Sequence, residues 1–143
     1  MLTFNYDYKT CITNSERVSW KLDDIMPEGA KLDLTRRLLP ASLAARPIAC
    51  LSEKEQLILN QIAGNAYLNL FAFVEEFILA TVVQHAQAEM FGDHDVIRAL
   101  VRFADEELKH QRLFERYRRS FDASFGHPAA VLETAAEVAG VVL

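Results

Sequence analysis

Apolar residues recur at helical spacing over two long stretches of the chain, about 52–90 and 93–121. In the second stretch Val96, Leu100, Phe103, Glu107, His110, Phe114 and Tyr117 step alternately by four and three, which places them on one face of a helix. The first stretch carries two such stripes. Leu68, Phe71, Glu75, Ile78, Val82 and His85 form the more apolar one. Asn65, Asn69, Ala72, Glu76, Leu79 and Val83 form the other. Ser52-Glu53-Lys54-Glu55 is a capping box at the start of the first helix. Phe91-Gly92-Asp93 breaks the pattern, and Asp93 is a good cap for the second helix. Ser120 to Gly126 is expected to end that helix. Pro128 suits the first turn of a third, carrying Val131, Leu132, Ala135, Ala136 and Val138. Residues 1–50 show no sustained period and are expected to form an irregular arm, with one short helix over 32–39 ended by Pro40. Trp20, Leu38 and Leu39 predict that this arm docks on the helical body, residues 51–143. The fold class is therefore all-α, built on an antiparallel helical hairpin.

The chemistry lies inside the apolar stripes. Five of the seven positions on the second helix's stripe are apolar or aromatic, and Glu107 and His110 sit among them. An unpaired carboxylate buried there costs on the order of several kcal/mol, so Glu107 needs a partner. Glu106 falls on another stripe with Arg102 and Lys109 and reads as solvated. Glu107-Leu108-Lys109-His110 is a Glu-x-x-His motif, a spacing that suits one metal ion. Glu75 and Glu76 lie about sixteen residues before the break and Glu107 about fifteen after it. A hairpin thus sets them at one height, roughly 23 Å from the turn. Stripe logic favours Glu75 as the buried member, and the small neighbours of Glu76 keep it in play. One Glu facing a Glu-x-x-His pair is half of a di-iron carboxylate ligand set. His85 reads as a core or interface histidine, His94 as a helix-start residue and His127 as a cap or turn residue. Arg112, Arg116, Arg118 and Arg119 read as a solvated face.

Length and charge narrow the setting. The chain has 143 residues, 51% hydrophobic and 24% charged, which suits one globular domain. Its net charge of −5 argues against nucleic acid as a partner. Cys11 and Cys50 lack metal-type spacing, and no signal peptide is legible, so a reduced cytoplasmic location is expected. The apolar run from Ala66 to Val83 raises the membrane question, but Glu75 and Glu76 in mid-span are costly in lipid. The apolar end at Gly140-Val141-Val142-Leu143 carries no cap, and the expectation is that the chain continues or that a partner covers it.

The stretches Leu68 to Ala80, with its paired glutamates, and Phe103 to Phe114 resemble the ferritin-like di-iron carboxylate superfamily, in its oxygenase-type members. The resemblance covers about 60 residues, roughly 60–120. It implies a four-helix bundle and a di-iron or iron–manganese centre. In that scheme Glu75 or Glu76 is a terminal ligand, Glu107 a bridging ligand and His110 a terminal ligand. It implies an O₂-activating oxidoreductase acting on an organic substrate, with Tyr67, Phe71 and Phe103 lining an apolar pocket. The pattern is incomplete: beyond Pro128 only Glu133 and Glu137 are available, with no histidine after them. A homodimer of hairpins, or a missing C-terminal half, would restore the ligand set. Two other readings fit the same residues. One is a non-enzymatic helical assembly module with a buried Glu/His network. The other is a ferritin-like protein that handles metal without oxidising an organic substrate.

Overall fold

The computed structural model describes residues 7–44 and 46–128; the expected third helix beyond Pro128 and its Glu133 and Glu137 lie outside them. Four helices form in chain order: α1, Tyr8–Arg17; α2, Leu22–Ile25; α3, Glu53–Ala88; and α4, His94–Phe125. No strand occurs among the described residues. At 36 and 32 residues, α3 and α4 are about 54 and 48 Å long. The capping box of α3 is formed: Ser52 Oγ accepts from Glu55 N, and Glu55 accepts from Ser52 N. Asp93 caps α4 by accepting from Asp95 N at 2.8 Å. α4 runs four residues past the expected stop. Phe121, 3% exposed, anchors its last turn and stacks on Phe125 at 4.8 Å. The helix ends at Gly126, whose φ of 82° is the left-handed conformation that suits glycine.

α3 and α4 form a hairpin closed by Glu89–Asp93, where Gly92 N donates to Glu89 O at 2.7 Å. The seam on α3 is neither of the two expected stripes. Gln61, Asn65, Leu68, Ala72, Glu75, Leu79 and Val82 are its buried or half-buried positions, stepping four, three, four, three. That spacing averages 3.5 residues, the repeat of helices that wrap closely, and it draws members from both stripes. On α4 the expected stripe is the seam, except that Phe103 is 45% exposed.

The arm is not irregular throughout, since it contains α1 and α2, and it does dock. Asn60 accepts from Leu38 N and Leu39 N at 2.9 and 3.1 Å and donates to Leu39 O at 3.1 Å. Gln61 Nε2 donates to Leu34 O and Arg36 O. These amides take up the backbone groups that a helix over 32–39 would use, and that helix is absent. Gly64 permits the crossing, because a Cβ there would stand 2.9 Å from Leu38 Cβ. At the other end Arg116 pairs with Asp23 and Glu28 and donates to Met26 O at 2.7 Å. Its side chain is only 17% exposed, so Arg116 is not part of a solvated face.

The core is thin: among the described residues no large side chain is fully buried. Leu59, Ile62, Leu70, Phe71, Val74 and Val83 on α3, and Val101 and Leu108 on α4, are exposed. By length and composition alone α3 could cross a bilayer. An α3 face awaiting further helices has the same composition.

Candidate metal centre

α3 presents Glu75 and α4 presents Glu107 and His110, at the common height that the hairpin register requires. His110 Nδ1 lies 3.4 Å from Glu75 Oε1 and 3.8 Å from Glu107 Oε2. One ligand-type atom from each residue falls within 4.8 Å of the others, and no other group of three such residues occurs among the described residues. Glu107 is 6% exposed, the Glu75 side chain is mostly buried, and the imidazole is partly open to solvent. Glu76 is exposed, one residue around the helix from the seam, and stands outside the group. The structure thus brings together three of the four candidate ligands.

The group is electrostatically unfinished. Glu75 Oε2, Glu107 Oε2 and His110 Nδ1 are buried atoms with no hydrogen-bond partner. The 3.4 Å contact is an electrostatic approach rather than a formed hydrogen bond. Burial pushes the Glu75 carboxyl above its ordinary value near 4.5; the charge of His110 opposes the shift and that of Glu107 adds to it. Two carboxylates and an imidazole facing one point are the donor set of a divalent cation. Bonds of about 2.0–2.2 Å at tetrahedral angles place neighbouring ligands roughly 3.3–3.6 Å apart, and the three donor atoms here already lie within 4.8 Å of one another. The residues therefore fit a metal.

Around the group, the arm supplies what the sequence pattern did not reveal. The indole of Trp20 stacks on the His110 ring, with centroids 5.6 Å apart and planes at 16°. Trp20 Nε1 donates to Glu106 Oε2 at 2.8 Å. Lys109 Nζ donates to Glu106 Oε1 at 2.6 Å and lies 5.8 Å from the indole centroid. Glu106 is therefore not solvated but joins the arm to α4. Phe114 lies near the imidazole at 6.3 Å. Buried polar atoms without partners also occur on Asn65, Asn69 and Gln111 of α3 and α4.

No family model, curated protein or solved structure matches this chain. The site therefore rests on its own geometry. Tyr67, Phe71 and Phe103 are all exposed; Tyr67 and Phe71 set tilted rings 6.0 Å apart, while Phe103 lines a small cavity of about 150 Å³ with Ile12, Ala99 and Arg102. His85 is exposed and is no core residue. His94 opens α4, as its position suggested.

Proposed function

We propose that Glu75, Glu107 and His110 bind a divalent transition metal, and that this is one half of a di-iron or iron–manganese carboxylate centre of the ferritin-like kind. The observation that carries the reading is that three buried ligand atoms from two long helices face one another without hydrogen-bond partners. Helix-borne ligands hold their geometry better than loop-borne ones, which suits a centre that must keep open positions. Iron there would supply O₂ activation for oxidation of a small organic substrate. The chain's own contribution is to set the ligand number, bury Glu107 and shield one side of His110 with the arm. Exposed Cys11 and Cys50 suit the reducing cytoplasm in which such a protein would work.

In this reading the remaining ligands come from a second copy or from a C-terminal half, either of which would cover the apolar face of α3. That exposed face also favours a second reading, a helical assembly module in which Glu75, Glu107 and His110 form a polar network that fixes register. Manganese(II) titration distinguishes the two. Under the metal reading the chain binds Mn²⁺, and His110→Ala and Glu107→Gln each lose at least about a hundredfold in affinity while keeping their helical circular dichroism. A folded wild-type chain that binds neither Mn²⁺ nor Fe²⁺ leaves the assembly module.

A further inference from the structure

The imidazole of His110 is the least enclosed member of the group, and its ring plane decides where Nδ1 points. Two restraints act on that ring. Phe114, four residues along α4, approaches at a tilt of 30°. Trp20 comes from a segment 90 residues earlier and lies nearly parallel to it. The indole cannot slide freely, because its N–H is held by Glu106, and Glu106 is itself held by Lys109. Lys109 is fixed in turn by Asp105 at 3.3 Å. The segment that carries Trp20 is anchored on both sides of it. On the α1 side Arg102 bonds Ser15 and Arg98 pairs with Glu16; on the α2 side Arg116 pairs with Asp23. A flat ring is thus delivered to the imidazole at a fixed height and angle by contacts that do not involve the imidazole.

We propose that Trp20 is a positioning residue for the metal ligand His110: stacking holds the imidazole in the plane that turns Nδ1 toward Glu75 and Glu107. The inference rests on the metal reading above and adds the arm to the site. Residues 7–44 then serve more than stability, since loss of the stack alters ligation even where the hairpin stays intact. Outer contacts that orient metal-binding histidines are commonly worth ten- to a hundredfold in affinity.

The test uses the full chain with Co²⁺ as the probe metal, in wild type, Trp20→Leu, Trp20→Phe and His110→Ala. Leucine keeps an apolar side chain at the contact but removes the flat ring. Phenylalanine keeps a smaller flat ring and loses the N–H to Glu106. The expected result is about a tenfold loss of Co²⁺ affinity in Trp20→Leu, with a changed cobalt visible spectrum, and a smaller loss in Trp20→Phe, which keeps a stacking ring without its tether. A second readout needs no metal. In the metal-free protein the His110 ring protons carry an upfield shift from the indole face, and Trp20→Leu removes it. If Trp20→Leu binds Co²⁺ with wild-type affinity and spectrum while His110→Ala does not bind, the positioning role is overturned and the metal site stands. If wild type itself binds no Co²⁺, the positioning role falls together with the metal site, and any ring shift reports a packing contact only.

Discussion

At the scale of single residues, Glu75 shows the tension between stability and chemistry. Its carboxyl is raised by burial, so between about pH 4.5 and its own titration point the folded chain holds a proton that the unfolded chain has released. Stability from this group is therefore present at low pH and lost as pH rises through the folded value. Glu75→Gln removes that loss. In metal-free protein the variant should be more stable than wild type at pH 7, and the gap should close as pH approaches 4, measured by urea unfolding across that range. A wild type more stable than Glu75→Gln at pH 7 would show that the carboxylate has a compensating partner. The same substitution should abolish metal binding. Glu107 and His110 were legible in the sequence because a helical period sets them among apolar neighbours. The choice between Glu75 and Glu76 was half legible, because each lay on a stripe of its own. Trp20 and Glu106 could not be read together. They are joined by a contact across 86 residues, and neither lies on a periodic stripe that reveals it.

At the scale of elements, the hairpin was visible in its caps and its break, but its seam was not. Two stripes offset by about a third of a turn each mix apolar and polar positions, and close packing selected the 3.5-residue seam running between them. The arm escaped periodic reading because side-chain amides and ion pairs, not apolar spacing, hold it. Gly64 tests that attachment through the sign of its effect. In an exposed helix glycine to alanine stabilises by about 1 kcal/mol. Against a docked Leu38, whose Cβ would meet the new methyl at 2.9 Å, overpacking costs about 1–3 kcal/mol. Gly64→Ala should therefore lower the unfolding midpoint, and a rise would mean that the arm does not rest there. Asn60→Ala, which strands Leu38 N, Leu39 N and Leu39 O, should cost about 2–4 kcal/mol in the same assay.

At the scale of the whole molecule, the arm and α4 leave much of α3 open among the described residues. Its exposed Leu70 and Phe71, 57% and 52% open, belong to a face that water disfavours. Association through that face follows, so Leu70→Glu should lower the molar mass seen by light scattering without loss of helicity. Partition of wild type into neutral lipid vesicles, in place of a discrete soluble assembly, would instead make α3 a membrane helix. The most direct test of the central claim is metal content measured together with molar mass, on wild type and His110→Ala purified with iron supplied. The expected result is about one iron per chain in wild type, two per dimer if copies pair, and none in a His110→Ala protein that remains folded. A folded, discrete wild-type protein without iron, or equal iron in both proteins, would contradict it.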